Sequence, residues 1–298
     1  MRGAECGLML ALPRMHVLVA GLGWLGEAVA RELAAAGHEV TGVRRRFPDE
    51  AGLSAAGIRP LPCDLADFHA VRRLPDVEAV VVCTAPHVHG EDAYRQAYLE
   101  VNEALLERYG NTSLSAYVYT SSTSVFGQSD GSDVDEDTAV RPVGATAEIL
   151  VEAEHRVRGA SAAVPARIVR LSGLYGPGRT GLLDRVRAGQ LALGDGDLQW
   201  MNFCHRDDAV AFVRGALESG AAGAVYHGSD AHPAHRRDVV RWMAERLGTP
   251  PSVHRGSEEG ERQRPNRRVL SEKSRRTLSV SLRYPSYREG FDALLRAR

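Results

Sequence analysis

The stretch HVLVAGLGWLG, residues 16–26, restricts the fold more than any other part of this chain. A short apolar run that ends in glycines is the pattern of a strand buried on both faces of a parallel sheet. Gly21, Gly23 and Gly26 stand in G-x-G-x-x-G spacing, and residues 25–36 carry helical apolar spacing that closes at Gly37. In that setting the first glycine permits a tight turn and the second lets backbone approach a pyrophosphate. The third lets helix and strand pack closely, and the helix N-terminus offers oriented N–H groups. The bland alternative is a glycine-rich turn that holds no ligand.

Beyond Gly37 the same rhythm continues. HEVTGV (38–43), IRPLPCDLAD (58–67), VEAVVVCTAP (77–86), LSAYVYTSS (114–122) and ARIVRLSGLYG (166–176) read as strands. Helical patterns at 92–109 and 145–157 separate the later ones. Strands alternating with helices predict an α/β fold, a doubly wound parallel Rossmann sheet with both faces covered. After residue 176 the texture changes. A turn-rich GPGRTG, a strand feeding a helix in QWMNFCHRDDAVAFVRGALESG, a strand AVYHGSD (224–230) and a helix at 237–247 predict a smaller C-terminal α/β substrate lobe. The expected division is 15–176 for the dinucleotide domain and 177–298 for the lobe, with 201–230 returning to the main sheet. The breaker-rich segment 248–268 reads as mobile.

Composition narrows the partners. The chain has 298 residues and a formal net charge of −1, so no global field draws nucleic acid or an acidic membrane surface. MRGAECGLMLALPR has an apolar core too short for a signal peptide, interrupted by Glu5 on its approach, and reads as a disordered extension over 1–14. No run approaches the ~20 apolar residues of a membrane span. Cys6, Cys63, Cys83 and Cys204 form no CxxC pair, and Cys63 and Cys83, which sit in apolar runs, read as buried free thiols of a reducing, cytoplasmic compartment. Expected partners are a small-molecule substrate and, for the assembly, a monomer or homodimer.

The cofactor residues are read from the strand ends. The second strand ends GVRRRF, so Arg44 stands where an acidic residue would hold the ribose hydroxyls of NAD, with Arg45 and Arg46 behind it. Guanidinium groups there suit a 2′-phosphate, which favours NADP(H) over NAD(H). Against this, 36 of the 37 lysine-plus-arginine residues are arginine, so any one arginine also fits a plain solvated loop. Trp24 and Leu25 belong to the phosphate turn. Asp64 and Leu65 in CDLAD are placed for the adenine, and Thr84, Ala85 and Pro86 for the cofactor running along the sheet edge.

GLGWLG, CDLAD, YLEVNEALL, SSTSVFG, VRLSGLYGPG and FCHRDDAV, in that order and closed by VYHGSD and YPSYREGF, resemble the extended short-chain dehydrogenase/reductases, the NAD-dependent epimerase/dehydratase family. The resemblance covers roughly residues 16–296, although extended members more often carry G-x-x-G-x-x-G. It implies that Ser122, three residues before V-F-G, orients a substrate carbonyl or alcohol, with Thr123 beside it. It also implies a Tyr-x-x-x-Lys pair on the next helix, where the lysine holds the nicotinamide ribose and lowers the tyrosine pKa. Aligned on Glu154, that helix puts Thr146 at the tyrosine position and Leu150 at the lysine position. The only lysine of the chain is Lys273, so no Tyr-x-x-x-Lys exists anywhere in it.

A replacement proton donor has several candidates. Tyr175 in GLYGPG, His205 and Asp208 in CHRDDAV, and His87 with His89 after the fourth strand all lie within plausible reach of the substrate space. Each has a structural alternative: packing for Tyr175, and a helix cap with lobe fixing for His205 and Asp208. Arg170 and Arg179 are candidates for a substrate phosphate. His87-x-His89 lacks the clustered ligands a metal needs, so no metal is expected. The reading is an NAD(P)-dependent oxidoreductase or epimerase-like protein acting on a sugar-nucleotide-like or other small carbonyl or alcohol substrate. The alternative is a non-catalytic NADP(H)-binding sensor on the same fold. An imine or β-hydroxyacid reductase would need a mostly helical second half, against which ARIVRLSGLYG and AVYHGSD argue.

Overall fold

The computed structural model describes residues 14–193, 197–249, 252–253 and 265–297. All of the expected extension at 1–14 except Arg14, and most of the segment 248–268, therefore lie outside the described residues.

Seven parallel strands form the central sheet: β1 (His16–Ala20), β2 (Glu39–Arg44), β3 (Ile58–Pro62), β4 (Ala79–Val82), β5 (Ala116–Ser122), β6 (Ala166–Leu171) and β7 (Val225–Gly228). Their spatial order is β7-β6-β5-β4-β1-β2-β3, so the winding direction reverses between β1 and β4. In β1, Val17 pairs with both Val40 and Ala79. A sheet reversal of this kind leaves a crevice at the strands' carboxyl ends, which is where doubly wound folds bind their ligands.

The period-two alternation of strand side chains divides the core into two layers. Val17, Val19, Val81, Val118 and Val169 face one side, with Val29 and Leu33 of α1 (Trp24–Ala35) and Phe212 and Val213 from the helix at Arg206–Ser219. Leu18, Val80, Val82, Tyr117, Tyr119 and Ile168 face the other, with Leu105, Ile149, Ala153 and Val157. The last three belong to α2 (Ala145–Gly159), and α3 denotes Arg206–Ser219.

Two sequence-predicted elements are built differently. The strand expected over 166–176 breaks after Leu171: Ser172 N still donates to Gly228 O of the neighbouring sheet strand, but Gly173 N turns to Asn202 O. Gly173–Tyr175 then pairs with Phe203–His205 outside the main sheet. The helix expected over 92–109 contains a π-helical turn at Arg95–Glu100, a widening that recurs at functional sites.

A second apolar cluster forms the lobe. Leu183, Val186, Phe203 and Tyr175 pack with Val239, Val240 and Met243 of α4 (Arg236–Leu247) and with Tyr287, Phe291 and Leu294 of α5 (Tyr287–Arg296).

Candidate functional site

The glycine turn has the geometry its spacing demands. Gly21 sits at φ +90°, and a Cβ there would lie 2.8 Å from Thr84 N, so any side chain would collide with the backbone leaving β4. A Cβ on Gly26 would lie 2.2 Å from Gly21 O, which is the close helix–turn contact. A Cβ on Gly23 would meet nothing within 4 Å: the turn opens to free space there. Gly23 is also the N-cap of α1 and offers no side-chain acceptor, so the first helical N–H groups are left for an anion. Leu25 packs into the core beneath.

Trp24 ties this turn to the loop after the sixth strand. Its indole N–H donates to Pro177 O at 2.7 Å. The guanidinium carbons of Arg179 and Arg206 lie 5.3 and 5.5 Å from its ring centre. Arg44 and Arg45 are exposed at the end of β2, with no carboxylate partner among the described residues. Asp64 is exposed and one of its oxygens already accepts Ala66 N at 3.1 Å; Leu65 is buried. Thr84 gives its hydroxyl to Ala97 O at 2.6 Å and so anchors the crevice floor to the π turn. Ala85, Pro86 and His87 continue along the edge, mostly exposed, and His89 stacks on Tyr94 at 6.0 Å.

The six hydroxyls of YTSSTS have separate fates. Tyr119 is fully buried and its hydroxyl has no partner. Thr120 donates to Val82 O at 2.9 Å and Ser121 to Glu154 Oε1 at 2.7 Å. Thr123 is buried and Ser124 exposed. Ser122, half-buried at the tip of β5, accepts from Ser124 N at 3.1 Å and caps a 3₁₀ turn over Thr123–Val125. Its Oγ is 2.9 Å from Ser124 Oγ.

Four of the candidate residues are engaged elsewhere. Arg170 is taken: it forms a buried ion pair with Glu154, with Nη2 to Oε2 at 2.6 Å and Nε to Oε1 at 3.0 Å, and its guanidinium lies over Phe126. A guanidinium so compensated has no charge to offer a substrate phosphate. Tyr175 is 4% exposed, stacked on Phe291 at 4.3 Å and edge-on to His205 at 5.2 Å; burial raises its hydroxyl pKa well above the ordinary value. His205 is 2% exposed and caps α3 by accepting Asp207 N on Nδ1 at 3.2 Å, and burial lowers its pKa to about 4. Asp208 accepts Arg283 N at 2.7 Å and Tyr284 N at 3.1 Å. Tyr175, His205 and Asp208 hold the lobe to the sheet and present no open proton donor.

On α2, Thr146 is half-buried in the first turn, with no capping bond from Gly144. Leu150 is 1% exposed and packs with Val125, Phe126, Val134 and Val269. The position the family gives to lysine is thus part of an apolar cluster. A cavity of about 720 Å³ does exist, but Glu136, Glu154, Arg158, Arg170, Tyr226 and Lys273 are among its walls and neither Ser122 nor the glycine turn is. Among the described residues no group of three or more His, Cys, Asp or Glu is placed to hold a metal ion, and no helix is long and apolar enough to cross a membrane.

Two further residues were not singled out as site candidates in the sequence. Asp230, just beyond β7, is buried with one oxygen unpartnered. Arg267 places Nη2 2.7 Å from Thr123 O, against the Ser122 turn. Arg267 belongs to the arginine run 262–268, which the sequence alone reads as a solvated or substrate-covering loop, and in a chain whose basic residues are nearly all arginine nothing local singled it out within that run.

A Rossmann sheet with an uncapped glycine turn at one end of its crevice and a strand-end serine at the other is the framework of a nucleotide-dependent oxidoreductase. Residues 17–227 match the NAD dependent epimerase/dehydratase family, and the chain belongs to that family. It is 34% identical over 257 residues to Protein YeeZ of Escherichia coli K12, covering 81% of this chain and 87% of that one. It is 30% identical over 258 residues to a 2-alkyl-3-oxoalkanoate reductase of Stenotrophomonas maltophilia, covering 79% and 77%. A solved structure from Methylobacillus flagellatus superposes with a TM-score of 0.77 at 28% identity, covering 96% of this chain and 99% of that one.

Proposed function

We propose that this protein is an NADP(H)-dependent oxidoreductase that interconverts a small carbonyl and its alcohol, with Ser122 facing the substrate oxygen. The observation that carries the reading is the cluster of Arg44 and Arg45, exposed and without carboxylate partners among the described residues, at the strand end beside the uncapped start of α1. The N–H groups above Gly23 suit the pyrophosphate, and the two guanidinium groups suit a 2′-phosphate through charge-assisted bonds. The nicotinamide would supply or accept the hydride. Ser122 would orient the carbonyl oxygen through a hydrogen bond, exchanging its contact with Ser124 for one with the substrate. The ketone reduction named for the Stenotrophomonas relative supports a carbonyl substrate.

The test is direct titration of wild type and of Arg44→Ala/Arg45→Ala with NADPH and NADH. We expect wild type to prefer NADPH, and the double variant to lose about tenfold or more in NADPH affinity with little change for NADH. Equal affinities in both proteins would remove the 2′-phosphate assignment. The environment of Thr146 and Leu150 favours a second reading, a cofactor-binding sensor without turnover. Steady NADPH absorbance across a panel of ketones, aldehydes and sugar nucleotides would favour the sensor. Turnover that Ser122→Ala abolishes would favour the enzyme.

A further inference from the structure

We propose that Arg267 binds an oxyanion of the substrate, a carboxylate or phosphate carried next to the carbon that reacts at Ser122. This rests on the assignment of Ser122 as the substrate-facing hydroxyl.

Nη2 of Arg267 donates to Thr123 O at 2.7 Å, so the guanidinium is fastened to the turn that begins at Ser122. Its Nε is enclosed and has no acceptor among the described residues. No carboxylate pairs with it among the described residues, although its neighbours are compensated: Arg268 reaches Asp133 and Lys273 reaches Asp137, each at 2.6 Å. A guanidinium carries five donors in a fixed fork, and here one of them is used. Arg267 is half-buried, and a cation partly withdrawn from water without a counter-charge carries a cost that an incoming anion relieves as it binds. Burial lowers the pKa of Arg267 to about 10, which leaves it charged at neutral pH.

The backbone around Arg267 is held on both sides. Asn202 Nδ2 donates to Arg267 O at 3.0 Å and Asn202 Oδ1 accepts Val269 N at 2.7 Å. Asn266 N donates to Gln128 O at 2.8 Å, and Gln128 Oε1 is a second enclosed atom without a partner. The cation is therefore pre-positioned rather than free to swing, which favours specific over nonspecific anion binding. Because Thr123 directly succeeds Ser122, the anion belongs on a carbon close to the one bearing the reacting oxygen: an α- or β-oxo acid, its hydroxy acid, or a phosphorylated hydroxyketone.

The test is isothermal titration calorimetry of wild type, Arg267→Met and Arg267→Lys, each with and without NADPH. The probes are acetoacetate for a carboxylate, dihydroxyacetone phosphate for a phosphate ester, and methyl acetoacetate and acetone as neutral controls. We expect at least one anion to bind wild type more tightly than the neutral probes and to lose about tenfold or more in Arg267→Met, with a smaller loss in Arg267→Lys. NADPH affinity stays unchanged in both variants. The proposal is overturned if neither anion outbinds the neutral probes, or if Arg267→Met keeps wild-type anion affinity. If Arg267→Met does not fold by circular dichroism, Arg267→Lys decides, since it keeps the charge and loses the fork. NADPH binding without anion preference sinks the Arg267 assignment alone. Anion binding without NADPH binding sinks the oxidoreductase reading instead.

Discussion

Asp230 leads from β7 into the lobe and lies among Tyr175, Asp208 and Glu289, with no cation among the groups that shift it. One oxygen accepts His232 N at 3.2 Å and the other is enclosed. Burial raises its pKa from the ordinary 3.8 to about 8. Between pH 3.8 and 8 the folded chain holds a proton that the unfolded chain has released, so this carboxyl contributes stability below pH 3.8 and loses it progressively up to about 8. His205 acts in the opposite direction: with its folded pKa near 4, its contribution is present above the ordinary 6.5 and is lost as the pH falls towards 4. Asp230→Asn removes the first contribution alone. Urea midpoints should show the variant gaining on wild type as the pH rises from 4 to 8 and no further gain above 8. A difference that stays flat across that range would mean Asp230 is ionised in the fold.

At the scale of elements, the docking of α5 depends on a position without a side chain. A Cβ on Gly290 would lie 1.8 Å from Tyr175 Oη and 2.6 Å from its Cζ, so α5 reaches the ring only because the residue is glycine. Gly290→Ala should cost about 1–3 kcal/mol through overpacking, measured by chemical denaturation. Tyr175→Phe alone should cost little, since the hydroxyl it removes is enclosed without a partner. Combined with Gly290→Ala it should recover only part of the loss, because the ring carbons still collide. Full additivity of the two changes would show that the contact is not shared. This docking was invisible in the sequence, where Tyr175 read first as a packing residue of its own turn and second as a proton donor. By contrast, the strand–glycine–helix unit at 16–36 was legible because its constraints are local: apolar period, turn geometry and helix packing all lie within one stretch. β6 ended early because Gly173 finds its partner at Asn202, outside the main sheet, which no local pattern announces. The crevice was readable from strand ends, whereas Arg267 reaches the Thr123 carbonyl from a segment 144 positions further along the chain.

Across the whole molecule, the lobe is held to the sheet by a few polar contacts that also border the site. Trp24 to Pro177 closes one side of the glycine turn, and Arg267 to Thr123 closes the Ser122 turn. Asp208, on the helix that covers the sheet, accepts both Arg283 N and Tyr284 N and fixes the chain as it enters α5. It stays buried there although burial raises its pKa to about 6, so at neutral pH it is held partly by those two donors. Asp208→Ala leaves two backbone N–H groups without acceptors and should cost about 1–3 kcal/mol for each that stays enclosed. Asp208→Asn keeps one acceptor and should lose less. If Asp208 serves only the assembly of the two parts, NADPH affinity per folded molecule stays at the wild-type value in both variants while the denaturation midpoint falls. A fall in NADPH affinity at unchanged stability would instead place Asp208 in the binding site and break the division between scaffold and crevice drawn from its hydrogen bonds.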